Sequence, residues 1–287
     1  MKDMPALHVE THGHITDEEV ASIRRLFEEC YNRLQPERLE LVEIEIFEND
    51  GLWHSHVASE RKRAAVASAE FDDAFISIHD AWTGVPRISI SLERRETVIP
   101  LVWEGALHHE AGHSILHGAL EYYVFPTPRA LMNAANEFPT LAAHLTDLLY
   151  LLALAVKDME VTRLLFASGY VEDQAAYARF VMRPSDQDQQ MWYLAHLAAE
   201  ARVLYLTGRL KDIAAAAVLA SGSERSHLKL DEVEESLNYL PQESSKAMLR
   251  TTDEVLRALS KDTFLNVMTA ANVLVARIIE PEMKRLA

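Results

Sequence analysis

From Asp17 to Leu34 the apolar residues Val20, Ile23, Leu26, Phe27 and Cys30 recur at helical spacing, and Thr16 with Glu19 forms a capping box. The pattern predicts a helix over that span, ended by Pro36. The period then changes. Val42, Ile44 and Ile46 alternate with Glu43 and Glu45 between Leu41 and Phe47, the mark of a half-buried strand. Asn49-Asp50-Gly51 reads as a turn. The stretch from His56 to Glu70 is ambiguous, with a helix as one reading; His54 and His56 have ligand spacing but read as a solvated loop. Phe71 to His79 is strand-like, and Arg87 to Glu93 alternates strictly, with Ile88, Ile90 and Leu92 against Ser89, Ser91 and Glu93. Residues 1 to 15, with His8, His12 and His14, read as a flexible arm or a short strand.

After residue 97 the helical period takes over. Pro100 suits a first helical turn, Leu101 to Leu116 is largely apolar, and Gly118 can stop the helix. Pro126, Pro128 and Pro139 mark a loop with a short helix from Arg129 to Asn136. A long apolar helix follows from Leu141 to Phe166. Beyond Gly169 the chain reads as helical, with breaks expected at Pro184, Thr207-Gly208, Ser221-Gly222 and Pro241. Strands before residue 95 and helices after 97 predict an α+β fold.

Composition narrows the partners. The 287 residues carry a net charge of −16, which opposes a nucleic-acid backbone or an anionic membrane surface. The longest apolar run, Leu148 to Val156, is nine residues, too short to span a bilayer, and Met1 to Pro5 lacks a signal-like apolar stretch. The expectation is a cytoplasmic protein with no nucleic-acid and no membrane partner. Cys30 is the one cysteine, so no internal disulfide and no cysteine metal cluster can form.

The chemistry concentrates in His109-Glu110-Ala111-Gly112-His113, the pattern H-E-x-x-H. Residues four apart share one helix face, so both imidazoles can point at one metal ion. Glu110 lies off that face, placed to act as a base. Burying three such side chains in an apolar helix is costly without a partner, and a metal supplies one. A catalytic zinc takes three protein ligands and keeps a position open. His117 continues the one-turn series, but three successive turns of a straight helix cannot converge on one ion, so His117 reads as a supporting or core residue. The longer pattern H-E-x-x-H-x-x-G-x-x-H is absent, because Leu116 and Ala119 stand where it needs glycine and histidine. The third ligand is sought in Val156 to Leu165, where carboxylates interrupt an apolar helix. Glu160 is assigned, with Asp158 as runner-up and otherwise an orienting residue. An ion pair between Glu160 and Arg163 is the plain alternative, and Glu121 and Glu137 are weaker candidates.

With those residues in place, the chain resembles the gluzincin metallopeptidases, whose H-E-x-x-H helix is followed by a glutamate ligand on a later helix. The order of strand, active-site helix and glutamate helix is similar to the minigluzincins. The likeness covers roughly residues 70 to 166, and the helical tail goes beyond it. It implies an α+β zincin-like domain over residues 1–170, a helical subdomain over 171–287, and Zn2+ held by His109, His113 and Glu160. It implies a peptidase acting on a peptide or protein substrate through a zinc-bound water activated by Glu110. The strand Arg87 to Glu93 would be the exposed edge along which substrate aligns. Tyr193, His196, Tyr122 and Tyr123 are candidate oxyanion donors. Two other classes stay open: a non-catalytic peptide- or protein-binding module that keeps the metal, and a metal-free helical interaction protein.

Overall fold

The structure, a computed structural model, describes residues 4–64, 76–222 and 228–285. It is α+β, with a small mixed sheet and many helices. The chain divides into two compact units, Met1–Val124 with Val161–Tyr177, and Phe125–Glu160 with Ala178–Ala287. The chain leaves the first unit after Val124 and returns to it at Val161.

Among the described residues the first unit has four strands: β1 (Ala6–His12), β2 (Leu41–Phe47), β3 (Ser77–Asp80) and β4 (Arg87–Ser91). Their order is β1-β2-β4-β3, with β1, β2 and β4 parallel and β3 antiparallel. Between β1 and β2 runs α1 (Asp17–Leu34), with the Thr16–Glu19 capping box in place and Gln35 in the left-handed conformation at its end. The alternation of β2 sorts its side chains to two layers. Val42, Ile44 and Ile46, with Ile88 and Ile90 of β4, meet Phe27, Cys30 and Tyr31 of α1 and Trp103, Ala106 and Leu107 of α4 (Pro100–Leu116). Burial pushes the Cys30 thiol up to about 12, so this core holds it protonated. The opposite sheet face is covered by α2 (Asp50–Ala64), whose Trp53 and Val57 pack on Phe47. A short α3 (Leu92–Arg95) leads into α4.

Several sequence expectations change here. Asn49-Asp50-Gly51 is the start of α2 rather than a turn, and the Asn49 side-chain oxygen accepts from the Leu52 N–H at 3.0 Å. His54 and His56 therefore stand on a helix, not in a solvated loop. The strand expected from Arg87 to Glu93 ends at Ser91 and is not an exposed edge, because β4 pairs with β2 on one side and β3 on the other. Its small polar residues leave no room for substrate. Ser89 and Ser91 are buried, and the Ser91 hydroxyl donates to Asp50 at 2.6 Å. Among the described residues the outer strand beside β4 is β3. Residues 71–75 of the strand expected from Phe71 to His79, and residues 65–70 of the stretch before it, lie outside the described residues.

Two glycines let later helices approach α4. A Cβ on Gly105 would stand 2.4 Å from the backbone oxygen of Asp173, on α7 (Glu172–Met182). On Gly112 it would stand 2.6 Å from Val161, on α6 (Leu145–Ala167). Gly105→Ala should therefore cost about 1–3 kcal/mol, the usual penalty of overpacking, because backbone rather than a flexible side chain must give way. A denaturant midpoint equal to wild type would refute this.

The second unit is helical: α5 (Arg129–Glu137), the first part of α6, the end of α7, α8 (Asp186–Ala195), α9 (Ala199–Gly222), α10 (Leu230–Glu235), α11 (Gln242–Ala258), α12 (Thr263–Leu274), a π-turn and α13 (Glu280–Lys284). The expected break at Thr207-Gly208 does not occur. α9 runs through it, and the Thr207 hydroxyl donates back to the Val203 carbonyl at 2.7 Å. A buried ion pair, Arg202 to Glu282 at 2.8 Å, ties α9 to α13. Among the described residues two stretches, Pro139–Ala167 and Thr263–Lys284, are by length and composition apolar enough to cross a membrane. They are also joined by a buried polar contact, since Glu160 accepts from Thr263 and Asn266. Such a contact suits helices packed on each other.

Candidate metal centre

α4 begins with Pro100 at its first turn and buries most of its residues from Val102 to Ser114. Ser114 helps fix its roll: the hydroxyl donates to the Ala111 carbonyl at 2.7 Å and lies 2.8 Å from the Tyr31 hydroxyl of α1. On this helix His109, Glu110 and His113 are all buried. The rings of His109 and His113 stand 4.9 Å apart, edge to face, one turn from each other as the spacing requires.

Each imidazole has a neighbour that fixes its plane. His109 lies 5.3 Å from the Tyr177 ring. His113 has its Nδ1 3.2 Å from Nδ1 of His117, the fully buried C-cap residue of α4. If His113 gives a metal its Nε2, its Nδ1 carries the proton and donates to His117, whose own proton then sits on Nε2. That is the arrangement by which an outer residue sets a ligand's tautomer. His108, the neighbour of His109 in sequence, is turned to other work. Its Nδ1 lies 2.8 Å from Asp173, and its ring rests against Tyr170.

A residue with no motif signal stands here as well. His79 of β3 stacks on His113, with ring centroids 6.0 Å apart and planes 12° from parallel. The Tyr123 hydroxyl, in the 3-10 turn Leu120–Tyr123, lies 2.7 Å from His79 Nδ1. Tyr122 of the same turn meets His117 edge-on. His79 escaped the sequence reading because nothing in a strand-like stretch tells which helix the strand will border. Of the four candidate donors, Tyr122 and Tyr123 stand among these histidines. Tyr193 is largely exposed on α8, with its ring beside that of His196.

The two carboxylates of α6 have different surroundings. Glu160 is buried in the second unit, with one oxygen accepting from the Thr263 hydroxyl at 2.7 Å and the other from the Asn266 amide. Asp158 is half-buried. Val161 and Leu165 meet α4 at Gly112, and Asp158 lies three and seven positions before them, so it shares their face of the helix. Glu160, two residues on, points about 200° away from Asp158. Arg163 is exposed. Glu121 and Glu137 are exposed as well, and Glu137 pairs with Lys284 at 3.6 Å.

No protein-family model, curated protein or solved structure matches the chain.

Proposed function

We propose that the chain is a zinc-dependent peptidase whose first unit is a zincin-like scaffold. The observation that carries the reading is the buried pair His109 and His113, one turn apart, with the second ring held at Nδ1 by His117. A donor set of two imidazoles and a carboxylate suits zinc and leaves a coordination position for chemistry. We propose Asp158 as that carboxylate, because its helix face is the one that meets α4 while both oxygens of Glu160 are engaged elsewhere. When bound, zinc lowers the pKa of a water molecule and polarises the scissile carbonyl.

The chain's own residues do the rest. The Glu110 carboxylate accepts the proton of the attacking water and delivers it to the leaving amine. The His79–Tyr123 pair supplies donors beside His113, where negative charge develops on the carbonyl oxygen. The role of substrate-aligning edge falls to β3, which carries His79 and is the outer strand on the β4 side of the sheet among the described residues. A peptide laid along it would be held through main-chain hydrogen bonds, with little demand on its sequence.

The test is a pair of measurements. Wild-type protein should cleave a peptide pool, lose the activity to a chelator and recover it with zinc. The double variant His109→Ala, His113→Ala should bind one zinc fewer per chain than wild type and cleave nothing. Cleavage that survives both the chelator and the double variant would sink the proposal.

A further inference from the structure

On the sheet face away from α4, three side chains from three elements converge. His12 ends β1, Glu45 is in the middle of β2, and His56 is on α2. Their ligand atoms all lie within 4.8 Å of one another. Nε2 of His56 is 2.8 Å from Glu45 Oε2, and Nε2 of His12 is 3.5 Å from that same oxygen. All three atoms are shielded from solvent, and none of them makes a hydrogen bond. Buried polar atoms almost always find a partner. Here the three converge on one point with only one another close by, a donor set that a cation would satisfy.

The surroundings fit a cation. Glu45's other oxygen is 3.4 Å from the Arg87 guanidinium, which also meets Asp80 at 3.1 Å and Glu60 at 3.3 Å. Arg63 pairs with Glu60 in turn. Three carboxylates against two guanidiniums leave one net negative charge, which favours a cation here. The rings are also held in advance. His12 lies flat on Phe47, with centroids 4.3 Å apart, and tilts toward His56 at 4.8 Å. Glu45 is nearly closed off, with 9% of its side chain exposed, whereas His12 and His56 each keep 27%. The open side faces a cleft of about 290 Å³ lined in part by His8, Glu10, Arg63 and Thr83.

We propose that His12, Glu45 and His56 form a second metal site, which takes a divalent transition ion of the zinc class through both Nε2 atoms and Glu45 Oε2. It pins α2 to β1 and β2 and leaves a coordination position open to the cleft. The site shares no residue with the H-E-x-x-H helix and does not rest on the peptidase reading.

The experiment titrates metal-stripped full-length protein with zinc ion against a competing chelator. The background is the His109→Ala, His113→Ala variant. One equivalent should still bind to it, and the further change His12→Ala, His56→Ala should remove that equivalent. Glu45→Gln in the same background keeps the size and the oxygen that faces Arg87 but removes the ligand's charge. It should weaken binding by more than about 100-fold, since even outer-shell changes cost 10–100-fold. Circular dichroism checks the fold of each variant, and if the histidine variant unfolds, Glu45→Gln decides. A background variant that binds no zinc would overturn the inference, and so would binding unchanged by Glu45→Gln. If wild type itself binds a single equivalent that depends on His12 and His56 alone, the second site stands and the peptidase centre falls.

Discussion

Glu110→Gln should leave the zinc content of the protein at the wild-type level while peptide hydrolysis falls about 10²–10⁴-fold. The two halves of that result come from one fact of helix geometry. Glu110 follows His109 by a single residue, so its side chain leaves α4 about 100° away from the ligand face. It is buried beside the imidazoles without sharing their direction. Glutamine keeps the length and shape of the side chain, so packing against the neighbours of α4 is preserved. What is lost is the basic oxygen that takes a proton from water and passes it on. The assay compares zinc per chain with the rate on a peptide pool for both proteins. Equal rates in wild type and variant would remove Glu110 from the mechanism. A zinc-loaded wild type that cleaves no peptide would instead favour a metal-binding module that recognises peptides without cutting them.

The sequence was most legible where local rules and tertiary context agree. α1 begins and ends where Thr16, Glu19 and Pro36 put it, because a capping box and a proline act on the backbone directly. β2 matches its alternation from Leu41 to Phe47, and α4 starts at Pro100. The histidine pair was legible for the same reason, since a spacing of four on a helix is a statement about one face. Neighbours across space were not legible. The alternation of β4 fixes which side chains face which layer, but it says nothing of what pairs at the strand's edges. The strand read as an exposed edge for substrate, and the structure instead buries Ser89 and Ser91, the latter against Asp50 of α2. Other histidine contacts were hidden in the same way. His79 meets His113 only because β3 borders α4, and His12 meets His56 only because α2 folds back over the sheet. At Thr207-Gly208 the local signal was real but weak. One glycine costs a helix interior about 1 kcal/mol, and the packed flanks of α9 outweigh it.

Asp158 and Glu160 should separate in two different assays. Asp158→Asn should weaken zinc binding by more than about 100-fold, because losing a ligand costs at least as much as losing an outer-shell contact. It should cost the metal-free protein less than Glu160→Ala does, since Asp158 is half-buried and asparagine keeps its size and shape. Glu160→Ala should do the reverse. It strands the Thr263 hydroxyl and the Asn266 amide in the interior of the helical unit, at a cost of about 1–3 kcal/mol for each buried group left without a partner. That unit should melt roughly 2–4 °C lower for each kcal/mol lost. Its zinc affinity should stay near wild type, because the carboxylate removed points away from the face that meets α4. The pair of variants is decisive because each serves as the other's control on one unbroken helix. If Glu160→Ala loses the zinc and Asp158→Asn keeps it, the third ligand is Glu160. In that case the contacts to Thr263 and Asn266 become the outer hydrogen bonds that orient a ligand carboxylate rather than the anchor of a helical core.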